Sequence, residues 1–412
     1  MRKSVLSVLV AAALLGASAT ATAQPAAHAA GGWGATWGSS QHAGAELFGS
    51  PWVTEGFDDH SVRQVVRLSR GGPALRVRLS NAFGTSPLRL TGATVARTDK
   101  GASVRPGSVR HVTFQGRKST TVAVGAELAS DPIPFAVPSF EQVTVTLHFA
   151  GRTGPATAHG DATATSWRAK GDHRADVSAS AFTESTTSWY YLSGVDVVDL
   201  SPRRDTVVAF GDSITDGAES TVDADRRYPD RLARRLGGRL GVVNAGISGN
   251  RVVNDSPCMG EKAPARFTRD VLSHPDVRTV ILLEGINDIG FSEIDLGPCG
   301  LPNPRVTADE IIGGYRQIIA AAKAKGIRVV GGTLTPFKGA FYATDRGEGV
   351  RQAVNHWIRT SGAYDAVVDF DKAVADPADP TALRPEFDPG DHLHPNDAGY
   401  QAMADAVDLS TL

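Results

Sequence analysis

Val208-Ala-Phe-Gly-Asp-Ser-Ile-Thr-Asp-Gly217 joins an apolar run of strand character to sequence able to start a helix, with a break at Gly211 and Ser213 at the junction. The same unit recurs through the second half of the chain. Residues 206–210, 241–244, 279–283, 327–330 and 366–370 are short apolar runs, each followed by helix-competent sequence. The clearest helix begins at Thr307, whose side chain can cap it while Glu310 reaches back. It continues through Ile311, Tyr315, Ile318, Ile319 and Ala322 on one face and stops at Gly326. Five such units predict a parallel sheet covered by helices on both faces. In a sheet of that kind the carboxyl ends of the strands converge on one rim, where ligands bind. Residues 211–213, 246–250, 285–288 and 391–394 are the candidates for that rim.

Before Pro202 the period changes. Leu75, Val77 and Leu79 alternate with Arg76 and Arg78, and Val143, Val145, Leu147 and Phe149 alternate with Thr144, Thr146 and His148. A period of two predicts strands with one buried and one wet face, hence an antiparallel β-sandwich or jelly roll. Gly71-Gly-Pro73 and Asn81-Ala-Phe-Gly84 supply turn signals. Trp33, Trp37, Trp52, Trp167 and Trp189 all fall in this half; they read as sandwich core, with a sugar-binding platform as the competing reading. The junction at 190–204 is short and contains apolar residues, so the two domains are expected to be docked. The division is thus a leader at 1–30, a sandwich domain at 31–200 and an α/β domain at 201–412.

A chain of 412 residues exceeds what one ordinary core fills, which agrees with two domains. The formal charge of -2 and the lack of long like-charge blocks give no reason to expect a nucleic-acid partner. Arg2 and Lys3, the apolar stretch 5–17 and small residues ending at Ala23 or Ala29 read as an export signal; the stretch is too short to favour stable membrane insertion. In an oxidising compartment the two cysteines, Cys258 and Cys299, are expected to form a disulfide, enclosing Asn287 in the closed loop.

Serine is a weak nucleophile at its own pKa and needs a base beside it and donors for the oxyanion that develops. His394 is the candidate base. Asp391, three residues earlier in Asp388-Pro-Gly-Asp-His-Leu-His-Pro395, can fold back to its Nδ1, whereas His392 lies only one residue from Asp391 and reads as a packing or solvent-facing histidine. The Ser213 amide, the Gly249 amide and the Asn287 side chain are candidate oxyanion donors. Taken singly, each has an ordinary reading as a turn residue. Together, in order and each after a different strand, they point to acyl chemistry.

These blocks resemble those of the GDSL-type esterases and lipases, the SGNH hydrolases. Gly211-Asp-Ser-Ile214 matches the first block with Ile for the usual Leu, Asn244-Ala-Gly-Ile-Ser-Gly249 the second, Gly285-Ile-Asn-Asp288 the third and Asp391-His-Leu-His394 the last. The resemblance implies a flavodoxin-like three-layer α/β/α domain, a Ser213–His394–Asp391 triad, an oxyanion hole of Ser213, Gly249 and Asn287, and no metal or other cofactor. The first half, opening on Ala35-Thr-Trp-Gly-Ser-Ser40, resembles the β-sandwich that precedes this domain in many secreted members. The expected activity is hydrolysis of a carboxylic ester, whether lipid, acetylated carbohydrate or small aryl ester. The alternatives are an acyltransferase using the same site and a carbohydrate-binding protein with accessory deacetylase activity. The acyl group, the alcohol and the oligomeric state are not readable from the sequence.

Overall fold

The computed structural model describes residues 32–45, 51–199 and 205–412; the expected leader and the Pro202 boundary lie outside them. The first half is built of antiparallel strands. The two largest sheets order Gly32–Gly38, Leu192–Asp199, Leu75–Ser80 and Glu127–Ala129 in one, and Glu184–Thr186, Ser166–Lys170, His60–Arg67, Gln142–Phe149, Gly92–Arg97 and Arg110–Val112 in the other. Leu75, Val77, Leu79, Val143, Val145 and Leu147 share one core with Trp37, Trp52 and Trp189, and the Trp37 and Trp189 rings meet edge to face. Three of the five tryptophans are therefore core. Trp33 and Trp167 are half-buried, Trp33 lying beneath the Arg76 guanidinium.

The alternating positions do not have the wet face that their pattern predicts. Thr144 and Thr146 are buried, bonded to Thr98 and to the fully buried Arg63. Arg78 is also buried, because its face of the sheet meets the second domain: it donates to Ser273 O and to His274 Nδ1. Burial, and then the adjacent Arg78 charge, pushes His274 down to about 3, so the ring stays neutral and can accept. Polar residues were covered by a neighbouring layer, which a single strand's pattern cannot reveal.

In the second half β1 (Thr206–Gly211), β2 (Gly241–Gly246), β3 (Val277–Leu283), β4 (Arg328–Gly332) and β5 (Ala366–Val368) form one parallel sheet in the order β2-β1-β3-β4-β5. This is the flavodoxin-like order. Helices Tyr228–Leu236 and Asp397–Ala406 pack together in one outer layer, and Ala308–Lys323 with Asp345–Thr360 in the other. Thr307 and Glu310 make the reciprocal cap at the start of Ala308–Lys323. The fifth strand is shorter than its apolar run suggested. Asp369 accepts from the Lys372 amide and starts a helix at Phe370, ending β5 at Val368.

The domains are docked through strand Gly32–Gly38. A bulge between Ala35 and Trp37 lets Ala35 enter the core of the α/β domain while Trp37 enters the sandwich core. Ser69 Oγ donates to Thr36 O at 2.5 Å and accepts from the Val242 amide at 2.8 Å, which fastens the sandwich to the edge strand β2.

Candidate active site

Gly211 at the end of β1 stands opposite Gly246 of β2 and Leu283 of β3, so three rim loops leave the sheet at one level. A side chain at Gly211 would lie 2.0 Å from Leu283 O and 2.3 Å from Thr215 Oγ1; only glycine permits the turn to close. Asp212 then caps the helix Ser213–Asp216, its carboxylate accepting from the Ile214 amide at 3.0 Å. Ser213, 5% exposed, sits in the first turn, where amides have no partner within the helix.

The last block comes to it from the other end of the domain. Buried Leu393 anchors the loop in the core, and Asn396 caps the following helix by accepting from the Ala398 and Gly399 amides. His394 Nε2 lies 2.8 Å from Ser213 Oγ, and His394 Nδ1 lies 2.6 Å from Asp391 Oδ2. The second Asp391 oxygen accepts from the amides of Leu393 and His394, each at 3.0 Å. Burial raises the Asp391 carboxyl, but the bonds from His394 and the two amides outweigh it and hold the group below the usual carboxylate range. A charged Asp391 accepts from Nδ1–H and leaves the Nε2 lone pair facing the serine. His392 turns away. Its residue has a φ of 60°, its ring is half exposed, and its Nδ1 pairs with Asp388 Oδ2 at 2.5 Å.

Gly249 lies in the loop after β2 with a φ of 78°, where a side chain would collide with Met259 Sδ at 2.1 Å. Asn287 is in the helix Ile286–Phe291 after β3 and is 2% exposed. Its Nδ2 donates to Asn250 O at 3.1 Å, next to Gly249, and its Oδ1 accepts from Tyr342 OH at 3.3 Å. These partners fix the amide orientation and leave Nδ2 with one further hydrogen. The disulfide joins Cys258 to Cys299, with Cα atoms 5.2 Å apart, and Ser256 Oγ donates to Cys299 O beside it.

Three residues support the site; Asp288 closes the third sequence block, whereas Arg266 and Tyr342 carry no signal strong enough to single them out in the sequence. Arg266, fully buried, donates to Gly211 O, Ala245 O, Asn250 Oδ1 and Glu284 Oε2, so one guanidinium touches the loops of all three strands. Asp288 accepts from the amides of Val252 and Val253 at 2.7 and 2.8 Å, which pins the loop beyond Gly249; burial nevertheless raises its carboxyl to about 6. Tyr342 holds the far side of Asn287.

Residues 209–402 match the GDSL-like lipase/acylhydrolase family. The second half of the chain is a domain of that family. This GDSL hydrolase is a carboxylic ester hydrolase. The chain is similar to a GDSL-like lipase from Bacteroides thetaiotaomicron, at 20% identity and a TM-score of 0.38 over 49% of this chain and 85% of that one. It is also similar to a carbohydrate acetylesterase family member from Sinorhizobium meliloti, at 15% identity and a TM-score of 0.39 over 49% of this chain and 94% of that one. A third similar structure is an acetyl xylan esterase, at 22% identity and a TM-score of 0.38 over 49% of this chain and 96% of that one. No curated protein matches the chain.

Proposed function

We propose that this GDSL hydrolase is an exported serine esterase that works through an acyl-enzyme on Ser213. The observation that carries the reading is the unbroken line from Asp391 Oδ2 through His394 to Ser213 Oγ, at 2.6 and 2.8 Å. His394 Nε2 takes the proton as Ser213 Oγ attacks the ester carbonyl carbon. Charge develops on the carbonyl oxygen, which the Ser213 and Gly249 amides and the remaining Asn287 Nδ2–H receive. Collapse expels the alcohol, which leaves with the proton from Nε2. Water then gives its proton to the same nitrogen and attacks the acyl carbon; collapse breaks the bond to Ser213 Oγ, which takes that proton back from Nε2 as the acid leaves. Asp391 stabilises the imidazolium in both halves of the cycle. The Cys258–Cys299 disulfide supports the exported reading, since such bridges persist in oxidising compartments.

The test is turnover of p-nitrophenyl esters from acetate to long acyl chains by the parent and by Ser213→Ala. The parent should turn over at least one chain length and the variant none. Equal turnover by the two would defeat the assignment.

A further inference from the structure

One buried polar cluster takes no part in the proton relay, and it joins the two domains. Asp216 closes the short helix that begins at Ser213 and is 1% exposed. One of its oxygens accepts from His159 Nε2 at 2.9 Å; the other accepts from the Ser248 amide at 3.2 Å and lies 3.3 Å from Ser248 Oγ. Ser248 Oγ donates to Asp161 Oδ2 at 2.9 Å. Ser248 immediately precedes Gly249. A single carboxylate thus ties the nucleophile's helix to the loop that presents the Gly249 amide, and two residues of the sandwich grip that junction from outside.

The charge on the grip follows from its partners. His159 Nδ1 faces Ser40 O at 2.8 Å, and Nε2 faces Asp161 O at 3.2 Å as well as Asp216. All are acceptors, so both ring nitrogens must donate, and the ring is an imidazolium. Burial pulls His159 down, but the Asp216 charge and hydrogen bond prevail and its pKa is raised. The neighbouring His42 is pushed to about 4 by burial and then by His159, and stays neutral. The carboxylates of Asp161 and Asp216 approach each other across Ser248: burial and then the Asp216 charge raise the Asp161 carboxyl, which the His159 cation opposes. Without it, their repulsion would fall on the residue next to Gly249.

We propose that the sandwich is a working part of the catalytic centre: His159 and Asp161 are positioning residues that fix Asp216 and Ser248 and thereby aim the Gly249 amide at the developing oxyanion. The proposal rests on the ester-hydrolase reading of Ser213. Neither residue acts on the acyl group directly, so loss of the clamp should lower kcat and leave KM nearly unchanged.

The experiment measures kcat and KM of the full chain for p-nitrophenyl acetate in His159→Leu, His159→Gln and Ser248→Ala, with the thermal unfolding midpoint of each. Misplacing a catalytic donor by about 1 Å can cost about a hundredfold, so His159→Leu should lose roughly 30- to 100-fold in kcat with KM within about twofold. His159→Gln, which keeps a donor toward Asp216, should recover to within about tenfold of the parent, a rescue that general loss of packing would not give. Ser248→Ala removes one hydroxyl and decides the matter if the leucine variant does not fold; it should lose about tenfold in kcat. Unchanged kcat in a folded His159→Leu or in Ser248→Ala, or a loss confined to KM, would overturn the clamp. Ser213→Ala separates the two ideas: activity that survives it counts against the nucleophile, whereas loss there with none at His159 or Ser248 overturns the clamp alone.

Discussion

Replacing Asp391 with asparagine tests the relay at its most geometrically constrained point. The carboxylate meets three donors, two backbone amides at Oδ1 and His394 Nδ1–H at Oδ2. Asparagine offers one acceptor. If its oxygen stays on the two amides, its NH2 faces His394, whose Nδ1 must then carry the lone pair and whose proton must move to Nε2, opposite Ser213. The base is then in the wrong tautomer to take the serine proton. If the amide flips, the NH2 faces two N–H groups and two bonds are lost, each worth about 1.5–3 kcal/mol when the acceptor is charged. The first arrangement loses fewer bonds, so kcat should fall about 10⁴-fold, or about 5.5 kcal/mol of barrier. Asp391→Ala removes the opposing NH2 and frees the imidazole to choose its tautomer, so it should be no less active than Asp391→Asn. The assay is kcat for p-nitrophenyl acetate at neutral pH, with unfolding midpoints to show that both variants fold. An asparagine variant within tenfold of the parent would refute the tautomer argument.

His392 supplies a control: His392→Ala should keep kcat within about twofold, whereas His394→Ala should remove turnover, because the Asp388–His392 pair imitates the dyad but does not face Ser213. Asn287→Ala should cost about a hundredfold to a thousandfold in kcat on the same ester; a loss under tenfold would make Asn287 structural. Replacing Cys258 and Cys299 by serine reopens a loop whose ends are 41 residues apart, at a cost of about 4 kcal/mol in the chain-entropy view, read as an earlier denaturant midpoint. His159, which faces Asp216, Asp161 and His42, has its pKa raised by folding. Its charge therefore contributes stability that is fully present below the unfolded value of about 6.5 and is lost as the pH rises through the folded value. The gap in unfolding free energy between the parent and His159→Gln should narrow from pH 6 toward pH 9; a constant gap would contradict the charged assignment.

The parallel sheet was legible because each strand is a bounded apolar run followed by its own helix, and Thr307 with Glu310 marks a helix start in chemical terms. Phe370 was misread as strand for the same reason: it continues an apolar run, and the cap at Asp369 that ends the strand is a three-dimensional event. The candidate site residues were legible because serine, histidine, asparagine and aspartate after strand ends have few structural reasons to recur in that order. Arg266 and Asp216 were not. One sits in an ordinary helical stretch, and the other matters through partners that arrive from another loop, Ser248, and another domain, His159. Alternation also failed to announce the buried Arg78, since period two records which residues share a face but not whether a second domain covers it.

Whether Ser213 carries the acyl group is read by mass spectrometry of the chain reacted with a p-nitrophenyl phosphonate and digested. One phosphonyl group is expected, on the peptide that holds Ser213, lost in Ser213→Ala and formed far more slowly in His394→Ala. A phosphonyl group on any other residue, with Ser213 unmodified and ester turnover abolished, would contradict it.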